Sequence, residues 1–330
     1  MKIAINGFGR VGRAVFKIAV ENPEVEIMAI NDLAPLENLV YLLKYDTVYG
    51  NYKHKIEIKD GNLVVSGKQV KVLSEKEPAK LPWKDLDIDL VVESTGVFKD
   101  RESISGHLKA GAGKVILTAP TKDESIKTII FGVNDGEIKP EDDIIASASC
   151  TTNCVSPMMK VLDDKFGVEK SLMSTIHSYT STQALIDGPN KKDLRRGRAA
   201  ACNIVPASTG AAIATSLALP QLKNIFDGMA YRVPTPAGSI SDVVVVLKKE
   251  TTPEEISKAF QEAAAGSMKG VLKTTEEPLV SSDILGSFYS VIVQNDLTKV
   301  IGGNLVKVVG WYDNEWGYSC RVIDLAKKMV

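Results

Sequence analysis

The chain has four cysteines and three histidines, a short set in which to look for a nucleophile and its base. Cys150 lies in Ser147-Ala148-Ser149-Cys150-Thr151-Thr152-Asn153-Cys154, ahead of apolar residues at helical spacing (Val155, Met158, Met159, Leu162, Phe166). Ser149 suits a helix N-cap, which places Cys150 in the first turn. A thiol there has its pKa lowered by the helix terminus and becomes partly thiolate. Cysteines more often serve as small buried hydrophobes, and Cys154, one turn on, reads that way. Pro157 falls in the second turn and can bend the helix. His177 ends an apolar strand over residues 172–176 and precedes Ser178-Tyr179-Thr180. Strand ends commonly mount catalytic groups, so His177 is the candidate base; the competing reading is a structural histidine. His54 and His107 stand in polar surroundings and read as surface residues. Neither the cysteines nor the histidines have metal-ligand spacing, so no metal is expected.

A second site is written at the start of the chain. Residues 2–6 form an apolar run, Gly7-Phe8-Gly9-Arg10-Val11-Gly12 follows, and Val11, Val15, Ile18 and Ala19 recur at helical spacing up to Asn22-Pro23. A second strand over residues 25–30 ends at Asn31-Asp32, with Asp32 twenty residues beyond Gly12. G-x-G-x-x-G is weak evidence alone, but between a strand and a helix it is the dinucleotide fingerprint. Gly7, Gly9 and Gly12 let backbone approach a pyrophosphate, and the helix N-terminus presents free N–H groups and partial positive charge to it. Asp32 would accept from the adenosine ribose hydroxyls and repel a 2′-phosphate, which argues for NAD over NADP.

The elements that position these residues alternate. Strands over 88–93, 114–118, 129–132 and 144–146 and a helix over 101–112 imply an open, mostly parallel sheet with helices on both faces. Residues 55–73 read as a strand-turn-strand insertion turning at Asp60-Gly61 and Ser66-Gly67. Beyond residue 150 the strands lengthen and become β-branched, over 172–176, 230–233, 241–248, 290–293 and 305–312, with helices over 211–219 and 253–264. That texture predicts a mixed or antiparallel sheet. The polar, basic stretch 187–198 reads as a loop, and residues 315–329 as a final helix. The fold class is therefore α/β: a Rossmann dinucleotide-binding domain over 1–149, onto which helix 315–330 packs back, and an α+β catalytic domain over 150–314.

With 40 basic and 41 acidic residues the formal net charge is −1, so no global field draws the chain to nucleic acid or an anionic membrane. No apolar run reaches the length of a membrane span. The opening MKIAIN lacks the apolar core of a signal peptide. A cytoplasmic protein with free thiols is the expectation.

Six motifs in order resemble the phosphorylating, NAD-dependent glyceraldehyde-3-phosphate dehydrogenase family over essentially the whole chain. They are residues 6–13 (NGFGRVGR), 149–153 (SCTTN), 177–180 (HSYT), 205–210 (VPASTG), 232–236 (RVPTP) and 311–318 (WYDNEWGY). The resemblance implies that Cys150 attacks an aldehyde to form a thiohemiacetal and then a thioester, with His177 as proton acceptor and oxyanion stabiliser. It implies two anion subsites. Thr180 and Arg232, with Arg195 nearby, would hold the C3 phosphate of glyceraldehyde 3-phosphate. Ser149, Thr151, Thr209 and Gly210 would hold the attacking inorganic phosphate. For NAD it implies Arg10, Val11 and Asp32, the backbone of Lys76, and Thr95, Gly96 and Thr118 along the ribose path. Asn314 would fix the nicotinamide carboxamide, with Tyr318 beside it. Val11 departs from the family's usual isoleucine, while Leu33 and Pro189 resemble its NAD-preferring members. A homotetramer is implied, with the loop at 187–203 reaching towards a neighbour's cofactor. Competing readings are an erythrose-4-phosphate dehydrogenase, a cysteine acyl-transfer enzyme that makes no use of NAD, and a non-catalytic NAD-binding regulator.

Overall fold

The computed structural model describes residues 1–191 and 193–330. In chain order the main elements are β1 (Lys2–Asn6), α1 (Arg10–Val20), β2 (Glu26–Asn31), α2 (Leu36–Lys44), β3 (Tyr45–Asp46), β4 (Gly50–Asn51), β5 (Ile56–Lys59), β6 (Asn62–Val65), β7 (Lys68–Leu73), β8 (Leu90–Glu93), α3 (Arg101–Lys109), β9 (Lys114–Leu117), β10 (Lys127–Thr128) and β11 (Ile144–Ala146). There follow α4 (Cys150–Phe166), β12 (Val168–Ser178), β13 (Val205–Ser208), α5 (Ala211–Ala218), β14 (Phe226–Val233), β15 (Ser239–Leu247), α6 (Pro253–Ala265), β16 (Leu272–Thr275), β17 (Val291–Gln294), β18 (Lys299–Ile301), β19 (Leu305–Tyr312) and α7 (Trp316–Met329). One compact unit gathers residues 1–129, 135–148 and 319–330; the other gathers 130–134 and 149–318.

The first unit is built on a sheet of order β10-β11-β9-β8-β1-β2-β7-β6-β5. Strands from β10 to β7 run parallel, and β6 and β5 add on antiparallel. The order reverses at β1, which lies between β2 and β8, and such a switch point opens a crevice at the strands' carboxyl ends. The two hairpin turns are read directly from composition. Asp60 and Gly61 (φ 50° and 72°) and Ser66 and Gly67 (φ 51° and 83°) all take left-handed backbone, as two-residue type I′ turns require. The strand expected over 129–132 is not formed. Only Lys127–Thr128 pair with β11, and the chain then turns. Gly132 takes φ 82° and the Asn134 side chain accepts from Ile130 N at 2.8 Å, so the apolar run closes on itself.

The second unit carries a mixed sheet of order β13-β14-β12-β15-β19-β17-β16, with β18 on β19. β12 and β14 are parallel, whereas β15 and β19 run antiparallel to their neighbours in the middle. Cys154, Val155, Met158, Met159 and Leu162 of α4 pack with Val243, Val245, Val306 and Val308 of the sheet. Large apolar side chains of this kind each contribute about 1.5–3 kcal/mol when buried. α6 begins with a capping box in which Thr252 and Glu255 satisfy each other's backbone N–H. No helix among the described residues is long and apolar enough to cross a membrane.

Candidate active site

Ser149 caps α4, its hydroxyl accepting from Thr152 N at 3.1 Å, and Cys150 stands at the first helical position. Cys150 keeps a partly open face, while Cys154 is fully buried. His177, 3 % exposed, is the penultimate residue of β12. Its Nε2 lies 3.4 Å from the Cys150 sulfur. The parallel pairing of β12 with β14 sets His177 beside Arg232 in register. The sheet thus delivers a cation to the base, and Arg232 Nη1 reaches His177 Nδ1 at 2.5 Å and Ser178 O at 3.1 Å. His177 Nδ1 also lies 2.8 Å from Ser178 O, a carbonyl that only accepts, so with its proton given to Ser178 O the neutral ring turns the Nε2 lone pair towards the sulfur. The Tyr312 ring packs edge-on against His177. Its hydroxyl bonds Thr151 Oγ1 at 3.0 Å and Thr175 Oγ1 at 2.7 Å.

Electrostatics follow from burial. Loss of water, then the Arg232 charge, hold His177 down at about 3, so the ring is neutral. Burial also pushes the Cys150 thiol up, while the Arg232 charge and bonds from Thr151 pull it down. This differs from the lowered value expected from helix position alone, because packing against the core strips the sulfur of water by more than the first turn offers.

The other residues expected around this thiol fall in several places. Ser149 lies at the cap, and the Thr151 hydroxyl is committed to Tyr312. Gly210 precedes α5, and Thr209 Oγ1 accepts from Ala211 N at 3.2 Å. The Thr180 hydroxyl pairs with Thr182. Arg195 is exposed, whereas Arg196 points its guanidinium at Thr182 Oγ1 and Ser208 O (3.5 and 3.4 Å). Asn314 is buried, and its Oδ1 accepts from Ser178 Oγ, Gly238 N and Ser239 Oγ at 3.0–3.1 Å. Its Nδ2 therefore remains the donor. Tyr318 is buried. A second hollow of about 1450 Å³ lies around Leu172 and Val244 of the sheet and Ile213 and Leu217 of α5, and neither a cysteine nor a histidine lines it.

The first unit holds a separate cavity of about 880 Å³ at the switch point, lined by Asn6, Gly7, Gly9, Asp32, Lys76 and Thr95 among others. The three fingerprint glycines do different things. A Cβ on Gly7 (φ 91°) would lie 2.6 Å from Thr95 N, and one on Gly12 would lie 2.1 Å from Gly7 O. Both permit close backbone packing. A Cβ on Gly9 would meet nothing within 4 Å, so that glycine faces open space and leaves room for a ligand against backbone. Asp32 braces the turn, accepting from Phe8 N at 2.7 Å and Ala34 N at 2.9 Å. A dinucleotide fits this donor set: the amides of a helix N-terminus and a carboxylate at the end of β2. Arg10 is held by Asp46 at 2.8 Å over the Tyr49 ring. Thr118 bonds Glu93 O through its hydroxyl at 3.1 Å. Val11 and Gly12 lie in the first turn of α1, and Gly96 is an exposed left-handed turn residue. Of the loop 75–79, which forms one cavity wall, the sequence marked only Lys76, and His107, expected on the surface, is fully buried. No cluster that could hold a metal ion occurs among the described residues.

Residues 1–101 match the family model for the NAD binding domain of glyceraldehyde 3-phosphate dehydrogenase, and residues 149–314 match the model for its C-terminal domain. The chain is 53 % identical to the glyceraldehyde-3-phosphate dehydrogenase of Thermotoga maritima, over 100 % of the chain and 99 % of the relative. It is 51 % identical to that of Geobacillus stearothermophilus, covering 99 % and 97 %. With the chloroplastic glyceraldehyde-3-phosphate dehydrogenase A of Chlamydomonas reinhardtii it shares 50 % identity, covering 99 % and 88 %.

Proposed function

The chain belongs to the glyceraldehyde 3-phosphate dehydrogenase family, and on that premise we propose that it oxidises glyceraldehyde 3-phosphate to 1,3-bisphosphoglycerate with NAD and inorganic phosphate. The observation that carries this reading is the Cys150 sulfur 3.4 Å from His177 Nε2 at the start of a helix. Residues 1–149 with the returning C-terminal helix serve as the dinucleotide domain, and 150–314 as the catalytic domain.

His177 Nε2 takes the Cys150 thiol proton as the sulfur attacks the aldehyde carbon, and the carbonyl electron pair moves to oxygen. The His177 imidazolium so formed gives that proton from Nε2 to the oxyanion, leaving a thiohemiacetal on Cys150 and a neutral ring. When bound, NAD supplies the acceptor for the hydride that leaves this carbon. His177 Nε2 takes back the hydroxyl proton, and Cys150 is left as a thioester. A phosphate oxygen then attacks the thioester carbon, the C–S bond breaks, and the thiolate departs into the potential of Arg232. A thioester keeps the oxidation energy in a bond that phosphate can cleave.

Asp32 holds the adenosine ribose, Gly7, Gly9, Arg10, Val11 and Gly12 the pyrophosphate. Lys76, Thr95, Gly96 and Thr118 flank the ribose path, and Asn314 presents its free Nδ2 to the carboxamide beside Tyr318. Arg232, Thr180 and Arg195 take the C3 phosphate once Arg232 leaves His177. Ser149, Thr151, Thr209 and Gly210 take the attacking phosphate. The protein acts in the cytoplasm as a homotetramer. Leu172 of β12 and Ile213 of α5, 66 % and 71 % exposed around one hollow, favour cover by another subunit.

The test is NADH absorbance after mixing protein, NAD and glyceraldehyde 3-phosphate. A steady rise that requires phosphate, and a stoichiometric burst without it, are expected. No NADH under either condition refutes the reading.

A further inference from the structure

A chain of buried polar groups runs beneath the dinucleotide cavity and takes no part in the chemistry above. Glu93, at the end of β8, and His107, on α3, are both fully buried. The Trp83 indole N–H donates to His107 Nδ1 at 2.9 Å, so the ring proton sits on Nε2 and is donated to Glu93 Oε2 at 3.1 Å. Asn6 Nδ2 donates to the same oxygen at 2.5 Å, and Thr95 gives both its backbone N–H (2.9 Å) and its hydroxyl to Oε1. Four donors thus surround one carboxylate. Beyond Asn6 the chain continues: Asn31 Nδ2 donates to Asn6 Oδ1 at 2.7 Å and to Glu75 O at 2.8 Å, while its Oδ1 accepts from Glu75 N at 2.8 Å.

The arrangement has a direction. Trp83, His107 and Glu93 do not touch the cavity, whereas Asn6, Thr95, Asn31 and Glu75 all line it. These four belong to four separate wall segments: the end of β1 before the glycine turn, the end of β2, the turn after β8, and the loop at 75–79. An apolar layer would fill the same volume without burying a charge. What the polar chain adds is fixed hydrogen-bond direction in each wall.

We propose that Glu93, His107 and Trp83 are positioning residues for the dinucleotide, a relay that locks these four wall segments into the binding geometry. This rests on the cavity being the seat of NAD. The relay sets affinity for the dinucleotide and leaves the thiol chemistry of Cys150 alone.

The test is calorimetric titration of the full-length protein with NAD, alongside kcat at saturating NAD. Glu93→Gln turns an amide NH₂ towards the Asn6 and His107 donors. It is expected to raise the NAD dissociation constant about ten-fold, the cost of an unsatisfied buried donor, with kcat held within about two-fold. Asn6→Asp added to Glu93→Gln returns a carboxylate to the junction and is expected to recover most of that affinity. A role in bulk packing alone predicts no such rescue. Trp83→Phe keeps the ring and removes only the distal N–H, so it carries the test should Glu93→Gln fail to fold. It is expected to raise the dissociation constant about three-fold. Wild-type affinity in the folded single variants, or a double variant no better than Glu93→Gln, overturns the relay. Absence of NAD binding by the wild type strikes the dinucleotide reading itself.

Discussion

The fingerprint glycines make a sharp prediction because the structure assigns them unequal tasks. At Gly12 an added Cβ would lie 2.1 Å from Gly7 O, a backbone atom that cannot step aside. Relieving that contact means withdrawing α1 by about 1 Å from a close-packed interior. Gly12→Ala should therefore cost about 3 kcal/mol of stability, the upper range for overpacking, and weaken NAD as a secondary effect. At Gly9 the new methyl meets nothing within 4 Å. The backbone there is extended (φ −72°, ψ −158°), which alanine adopts. Gly9→Ala should keep its unfolding free energy within about 1 kcal/mol of wild type. Its methyl nevertheless stands where a phosphate would approach the helix N-terminus, and the NAD dissociation constant should rise at least about ten-fold. Urea denaturation and calorimetric titration on the two variants separate the effects. Wild-type NAD affinity in Gly9→Ala would refute the assignment of the pyrophosphate to this turn. Unchanged stability in Gly12→Ala would refute the packing argument.

Cys150→Ser should abolish NADH formation while NAD affinity, measured calorimetrically, stays at the wild-type value; measurable turnover would remove Cys150 as nucleophile. Asp32→Ala should weaken NAD and narrow its advantage over NADP, because both the ribose acceptor and the repelling charge go; an unchanged NAD/NADP ratio counts against the role. It should also lower stability by about 1 kcal/mol, since Phe8 N and Ala34 N lose their acceptor. His177 gives a pH dependence. Its folded pKa of about 3 lies below the ordinary 6.5, so between these values the unfolded chain binds the proton and the folded one does not. Stability from this residue is complete above pH 6.5 and falls as pH drops towards 3, by up to roughly 3–5 kcal/mol. Comparing urea midpoints of wild type and His177→Asn across that window should show a steeper acid loss in the wild type; parallel curves would refute it.

Both sites were legible in outline because each is announced by local chemistry. Glycines at fixed spacing between a strand and a helix, and a capped helix starting at a cysteine, carry their meaning within a dozen residues. The turns at Asp60-Gly61 and Ser66-Gly67 were equally plain, since few residue pairs tolerate that backbone. What escaped was non-local. The pairing of His177 with Arg232 depends on strand register across 55 residues, and no local pattern states a register. His107 reads as polar and exposed until Glu93 and Trp83, 14 and 24 residues away, arrive to satisfy it. The rise of the Cys150 thiol likewise comes from burial by distant segments. Residues 129–132 misled because an apolar run of that length serves a strand or a buried turn equally well, and the Asn134 side chain decided between them. α2 had the helical spacing Leu36, Leu39, Val40, Leu43, but it starts at Pro35 without a side-chain cap, so its start was unmarked.

The first compact unit closes only with residues 319–330. Val322, Ile323, Leu325 and Ala326 of that last segment are buried, and Lys327 and Lys328 pair with Glu24 and Asp135. During synthesis the nine strands of its sheet therefore emerge long before the helix that completes their unit. The N-terminal segment must wait, with apolar surface uncovered, while some 170 residues of the other unit are made. At about 5–20 residues per second that delay lasts on the order of ten seconds or more. Biogenesis of this chain is then a problem of shielding an unfinished sheet, and a chain stopped short of residue 319 should be a substrate for chaperones and proteases rather than a smaller stable domain.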